Sequence, residues 1–112
     1  MRLKYNNVRT YSELCQREFA SKKEAQRAEE LTLLQRAGEI TDLKFQIPFI
    51  LSVKPKITIT IDFSYVVDGV FSKYNVPIKI LKYEDSKGVL TRDTRTKLAW
   101  VQEKHGVSVI LS

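Results

Sequence analysis

Cysteine and histidine are scarce in this sequence, which contains one residue of each, Cys15 and His105. A single thiol cannot form an internal disulfide, which fits a reducing compartment. One cysteine and one histidine cannot supply the ligands of a structural zinc site, and they argue against any metal centre built on histidines. Chemistry in this protein must therefore rest mainly on carboxylates, lysine and water.

Long apolar runs are missing as well. No run approaches the ~20 residues that cross a bilayer, and no apolar segment follows Met1–Lys4 as it would in a signal peptide. We therefore expect a cytoplasmic protein with no membrane partner. The chain has 112 residues, 43% of them apolar, and we predict a single domain over residues 1–112.

Negative charge is in the minority. The formal net charge is +6 and the isoelectric point is near 9.5. A basic surface on a small protein favours a polyanionic partner such as a nucleic acid. A surface that is charged only for solubility is the alternative interpretation.

The apolar periodicity predicts two helices and four strands. Ser21 and Glu24 form a capping box, and Gly38 stands where the first helix would end. Pro48 indicates an edge position or a bulge in the first strand, and Asp68-Gly69 indicates a turn after the second. The predicted elements are a helix from Lys22 to about Ala37, strands over Leu43–Leu51, Ile57–Tyr65 and Pro77–Lys87, a helix from about Asp93 to Lys104, and a strand over Val107–Leu111.

The order of these elements predicts the fold class. Helix, strand, strand, strand, helix, strand is typical of an α/β (α+β) fold in which a mixed central β-sheet is flanked by the two helices. The third strand, the second helix and the last strand would form a right-handed crossover unit. Residues 1–18 show no clear period, and we predict a basic N-terminal arm there.

Asp85 and Lys87 are the first candidates for chemistry, because they stand at the end of the third predicted strand. Residues two apart in a strand point to the same side. A carboxylate there can bind Mg²⁺, and a neighbouring ammonium can orient water or stabilise charge on a phosphate. The alternative is a solvated loop after the strand. If the Asp-x-Lys tripeptide were the only evidence, this alternative would be the better interpretation.

Asp62 and Glu24 are further candidate carboxylates, each with two interpretations. Asp62 follows the β-branched run Ile57–Ile61, where aspartate is disfavoured. It either binds a metal beside Asp85 or faces water. Glu24 completes a capping box, yet it also heads the apolar stripe of its helix and would face the sheet. Both interpretations stay open for each residue.

Basic residues cluster before and after the candidate carboxylates. If Glu24 and Lys87 meet in one cleft, both clusters would flank it and bind the phosphates of DNA. For any single residue, an ordinary solvated helix face is the alternative. The candidate nucleic-acid-binding residues are Lys22, Lys23, Arg27, Arg92, Arg95 and Lys97.

Five short motifs run through nearly the whole chain: Lys4-Tyr5-Asn6, Phe19-Ala20-Ser21-Lys22-Lys23-Glu24-Ala25, Ile61-Asp62-Phe63-Ser64-Tyr65, Glu84-Asp85-Ser86-Lys87-Gly88 and, near the end, His105-Gly106. In kind and order they resemble those of a family of short phage-encoded proteins, long described as a domain of unknown function. That family is placed in the PD-(D/E)XK nuclease superfamily, with restriction endonucleases and Holliday-junction resolvases. The chain departs from the family pattern at Ile61 and Ser86, and neither is a ligand position.

The resemblance implies a restriction-endonuclease-like fold and a catalytic set of Glu24, Asp62, Asp85 and Lys87. Asp62 and Asp85 would bind Mg²⁺, which Mn²⁺ can replace, and Glu24 would be a third ligand, directly or through water. Lys87 would position water or stabilise the transition state, and Gln46 would line the site. A phage protein of this kind would act in the cytoplasm of its bacterial host.

Two hypotheses on function follow. The first is a Mg²⁺-dependent endonuclease that hydrolyses phosphodiester bonds of DNA, with branched DNA as one candidate substrate. A branch-specific resolvase needs two active sites, so this hypothesis is compatible with a homodimer. The second is a non-catalytic module that binds nucleic acid or another protein and retains the nuclease fold. A metal requirement for cleavage separates the two.

Overall fold

The described part of the chain has three short strands, two at its start and one at its end, and three long strands between them. One helix follows the first pair of strands, and another precedes the last strand. The computed structural model describes residues 8–86 and 91–111 of the chain. In chain order its elements are β1 (Thr10–Ser12), β2 (Arg17–Phe19), α1 (Lys22–Arg36), β3 (Thr41–Val53), β4 (Lys56–Phe71), β5 (Val76–Asp85), α2 (Arg92–His105) and β6 (Val109–Leu111). The fold class is therefore α+β, as predicted.

Four of the strands form a mixed sheet in the order β3-β4-β5-β6. β3, β4 and β5 pair antiparallel, whereas β5 and β6 pair parallel and are connected through α2. Such a crossover is required, because a tight turn can join only antiparallel strands. The predicted mixed sheet is therefore confirmed. Pro48 lies in the edge strand β3, where its missing N–H is tolerated.

Local signals determine where the helices begin and end. Ser21 is the N-cap of α1, and its hydroxyl accepts a hydrogen bond of 3.1 Å from the Glu24 amide. Gly38, just after the C-cap, has a φ of 82°, and Gly106 caps α2 with a φ of 67°. Glycine adopts this left-handed conformation without strain. The predicted bounds of both helices are confirmed to within about a residue.

The described helices are amphipathic and short. Among the residues that the structure describes, no helix combines the length and the apolar character needed to cross a membrane. Each helix instead turns one face to the sheet, and the buried apolar residues of the described chain lie in clusters there.

Two apolar clusters hold the helices against the sheet. The first packs Leu31 of α1 with Phe63 of β4. The second packs α2 with Ile61 of the same strand. β4 passes from one cluster to the other, and its residues 61–65 are all buried. Asp62 therefore lies at the point where the two clusters meet.

Part of the predicted N-terminal arm is a folded hairpin. β1 and β2 pair antiparallel and contact α1. Phe19 is buried in the first apolar cluster, and the Ser12 hydroxyl donates a hydrogen bond of 2.6 Å to Glu29 on α1. The sequence does not reveal this hairpin, because three-residue strands are too short to show a period. Residues 1–7 of the predicted arm lie outside the described residues.

The turn predicted at Asp68-Gly69 is wrong, because both residues lie inside β4. Asp68 pairs with Lys79 of β5 and forms an ion pair with it. Gly69 lies at a close approach to β5 and not in a turn, since a Cβ at this position would require the end of the Ile80 side chain to move. The chain reverses instead at residues 72–75, the last of which has a φ of 54°.

Candidate active site

Asp62 and Asp85 lie side by side on neighbouring strands. The pairing of β4 with β5 extends to Phe63↔Glu84, so that the two aspartates come at the next position of the register. The Asp62 amide donates a hydrogen bond of 3.1 Å to Asp85 Oδ1, and the Ser86 amide donates one of 2.9 Å to Asp62 Oδ2. Each carboxylate is thus held by the backbone of the opposite chain segment.

Both aspartates are removed from water. Asp62 is 6% exposed and Asp85 is 0% exposed. The water-facing interpretation of Asp62 and the solvated-loop interpretation of Asp85 are therefore wrong. Burial of an ionised carboxylate is unfavourable unless a cation or hydrogen-bond donors compensate for the lost hydration. A pair of buried carboxyl groups at one place does not help the protein to fold, so the pair asks for a functional explanation.

Glu24 belongs to the cap of α1 and is also buried, while its role as a metal ligand stays a prediction. Its amide donates to the Ser21 hydroxyl, so that the residue belongs to the cap of α1. Its side chain is only 5% exposed, and its carboxylate accepts a hydrogen bond of 3.1 Å from Gln46 Nε2. The charge of Glu24 also acts on Asp62. The helix therefore brings a third carboxylate to the aspartate pair.

Gln46 occupies a strained position in β3. It lies between Phe45 and Ile47, whose partners in β4 are Phe63 and Ile61, and it has a φ of 57°. A left-handed conformation is uncommon for a residue with a side chain, and it costs on the order of 1–3 kcal/mol. This conformation accompanies the hydrogen bond that Gln46 Nε2 donates to Glu24, one of the candidate carboxylates of the site.

The pKa of Asp62 is raised to about 8, from an ordinary value of 3.8. Burial is the main cause, because it penalises the charged form. A hydrogen bond with Asp85 and the charge of Asp85 raise the pKa further, Glu24 adds a smaller effect, and the Ser86 amide opposes them. Below about pH 8 the metal-free protein therefore holds a proton on Asp62, which a bound cation would displace.

A second polar group, which sequence reasoning missed, lies next to this site. Glu84 is 2% exposed and precedes Asp85 in β5. Arg27 donates to it from Nε at 2.5 Å and from Nη2 at 3.0 Å, and the Tyr65 hydroxyl donates at 2.8 Å. We call these three residues the Glu84 cluster. The signal in the sequence is slight: Glu84 is a second carboxylate at the end of an apolar strand.

Arg27 therefore has a different setting from the one predicted for it. Its guanidinium binds Glu84 and also Glu30, at 2.9 Å, and its side chain is 29% exposed. The hydrogen bond to Glu84 raises the pKa of Arg27 above its usual range. A guanidinium that is bound by two carboxylates has few donors left for a phosphate.

The other predicted phosphate-binding residues lie on the two helices. Lys22 and Lys23 are exposed at the start of α1, and Arg92 and Arg95 are exposed at the start of α2. Lys97 is half-buried and forms an ion pair of 3.4 Å with an aspartate one turn earlier. Lys87, the remaining predicted catalytic residue, lies outside the described residues.

A cavity opens beside the Glu84 cluster. Lys23, Arg27 and Ser86 line it together with Gln26 and Glu30, and its volume is about 190 Å³. It connects the first turns of α1 with the residue that follows Asp85. An exposed lysine and the end of β5 therefore border the same space.

The donor set of the site fits Mg²⁺. Within residues 8–86 and 91–111, no group of three or more His, Cys, Asp and Glu side chains is arranged to hold a metal ion. Mg²⁺, however, usually keeps several waters and is bound through one or two carboxylates. Asp62 and Asp85 supply such a pair, and a divalent cation would remove the like-charge repulsion between them. Mn²⁺ fits the same oxygen donors.

Comparisons with known proteins identify no relative of this chain. No family model, no curated protein and no solved structure matches the chain. The membership of a PD-(D/E)XK family and the restriction-endonuclease-like fold therefore stay predictions from the sequence motifs. The mixed sheet with two helices is the architecture that the structure establishes.

Proposed function

We propose that this protein is a Mg²⁺-dependent endonuclease that hydrolyses phosphodiester bonds in DNA, on a restriction-endonuclease-like domain. The observation that carries the proposal is the buried pair of Asp62 and Asp85, with Glu24 beside it. Burying like charges together opposes folding, and perturbed carboxylates of this kind cluster at functional sites. The motifs around these residues are also the ones that resemble those of the nuclease family.

The roles of the residues follow from their chemistry. Asp62 and Asp85 would hold the metal, which when bound supplies Lewis acidity and charge stabilisation at a phosphate. Glu24 would accept a hydrogen bond from water at the site, since its carboxylate is held in place by Gln46. Lys87, two residues beyond Asp85 in the sequence, would donate to the phosphate or to the attacking water.

The charge of the protein supports a polyanionic substrate. The net charge is +6, and the exposed cations include Lys22, Lys23, Arg92 and Arg95 at the starts of the two helices. Phosphate contacts from such residues would make binding weaken with rising salt. Branched DNA is one candidate substrate, and a homodimer would supply the two active sites that resolution of a branch requires.

We expect Asp85→Asn to abolish cleavage while DNA binding persists. Asparagine keeps the volume of Asp85 and can still accept the hydrogen bond from the Asp62 amide. It removes the charge that the metal needs, so cleavage should fall by at least about 100-fold. The measurement is incubation of supercoiled plasmid and a synthetic four-way junction with Mg²⁺, Mn²⁺ or EDTA, with binding followed by gel shift.

The matched control is Asp42→Asn. Asp42 has a φ of 54°, which asparagine tolerates, and its side chain is 61% exposed. This variant should cut as the wild type does. Cleavage that survives Asp85→Asn would contradict the site assignment. DNA binding without cleavage by the wild type in any metal would support the non-catalytic module instead.

A further inference from the structure

The three members of the Glu84 cluster come from the three elements that carry the candidate carboxylates. Arg27 follows Glu24 by three residues on α1. Tyr65 follows Asp62 by three residues on β4, and Glu84 immediately precedes Asp85 on β5. We infer that Glu84 is a positioning residue, which fixes α1, β4 and β5 so that Glu24 stays beside the pair of Asp62 and Asp85. This inference rests on the proposed function.

The packing of α1 explains why such a device is needed. The buried face of α1 consists of Glu24, Ala25, Ala28 and Leu31. Alanine has no side chain beyond Cβ, so this face offers little shape of its own, and hydrogen bonds to neighbouring strands help to fix how α1 lies on the sheet. Apolar packing is non-directional, and it would hold the helix near the sheet without fixing its register.

The hydrogen bonds of Glu84, unlike apolar contacts, depend on direction. Arg27 binds it through two nitrogens, and a planar guanidinium fork accepts only a narrow range of carboxylate positions. The Tyr65 hydroxyl fixes the same carboxylate from β4. A buried ion pair adds little stability compared with apolar residues of similar size. Its geometric effect is therefore the better explanation for its presence.

Conservative variants test this role without removing a catalytic group. Tyr65→Phe removes one hydrogen bond to Glu84, and Arg27→Lys keeps the charge but loses the fork. For both we expect cleavage at saturating DNA to fall by about 10- to 100-fold, because a displaced ligand binds metal less well. The dissociation constant for Mn²⁺, measured by electron paramagnetic resonance, should rise about tenfold. The apparent KM for DNA should stay unchanged.

Amide hydrogen exchange reports the geometry without requiring activity. The amides of Asp62 and Ser86 donate to the two aspartate side chains, so their protection measures how well the pair is held. In Glu84→Gln and Tyr65→Phe these two amides should exchange faster by about tenfold relative to the amides of α2. The control is Val101→Ala, in the other apolar cluster, which should lower Tm and leave the two amides no faster than their neighbours.

The outcomes separate this inference from the proposed function. If the variants of Glu84 and Tyr65 lower Tm as Val101→Ala does, with unchanged Mn²⁺ affinity and unchanged exchange at Asp62 and Ser86, the positioning role is wrong. If the wild type neither binds Mn²⁺ nor cuts DNA, yet those two amides are selectively exposed in Glu84→Gln, the nuclease proposal is wrong and the positioning of the carboxylate pair stands.

Discussion

Replacing Asp62 with asparagine is expected to make the metal-free protein more stable and to abolish its cleavage of DNA. Asparagine resembles the protonated form of Asp62: its oxygen can accept from the Ser86 amide, and its amide group can donate to Asp85. The repulsion between buried carboxylates disappears, and so does a metal ligand. A site that opposes folding is what a trade-off between stability and activity produces.

The stability that Asp62→Asn adds depends on pH. The direction of this dependence follows from the raised pKa of Asp62. Between about pH 4 and about pH 8 the folded protein holds a proton on Asp62 that the unfolded chain has lost, so the stability of the wild type falls as pH rises. Asparagine has no such dependence. At about pH 8 we expect the variant to exceed the wild type by several kcal/mol in its free energy of unfolding, and this advantage should shrink steadily as the pH falls towards about 4.

Denaturation with urea at several pH values, in EDTA, measures this difference. Asp68→Asn is the matched control: it is the same change in the same strand, at a side chain 77% exposed, and it should alter stability by no more than about 1 kcal/mol. Added Mg²⁺ or Mn²⁺ should stabilise the wild type and not Asp62→Asn, because only the wild-type protein would bind the metal ion. Equal stability of the variant and the wild type at every pH would contradict the buried, charge-opposed environment of Asp62.

Truncation of Phe63 is expected to have the largest effect on stability of the core substitutions considered. Its side chain is 0% exposed, and its ring contacts Phe45 edge to face at 5.9 Å, while Phe45 contacts Phe19 at 5.6 Å. Phe63→Ala removes a fully buried ring at one end of this series of contacts and leaves a cavity in the first apolar cluster. We expect a loss of about 3–5 kcal/mol and a fall in Tm of about 15 °C or more.

Phe71→Ala provides the control in the same strand. Phe71 is 49% exposed near the end of β4, so the same change there should cost less than about 1 kcal/mol. Thermal unfolding followed by circular dichroism measures both. Similar falls in Tm for the two variants would contradict the burial of Phe63 in the first apolar cluster.

The elements could be predicted because their signals are local. Ser21, Gly38 and Gly106 mark helix ends through their own backbone preferences, and the structure confirms all three. The alternation through β3 and the first part of β4 is likewise visible in the sequence. The turn at Asp68-Gly69 was predicted wrongly because glycine permits both a turn and a close approach between strands. Only the contact with Ile80 distinguishes them.

The sequence by itself determined which residues could carry chemistry: an aspartate after a β-branched run, an aspartate at a strand end, and a glutamate heading an apolar stripe. It left open whether Asp62, Asp85 and Glu24 face water or the interior. Only the tertiary structure decided this, because burial and strand register depend on residues distant in sequence. The link between Glu84 and Arg27, 57 residues apart, is likewise set by how α1 lies on the sheet, since local preferences carry no information on such contacts.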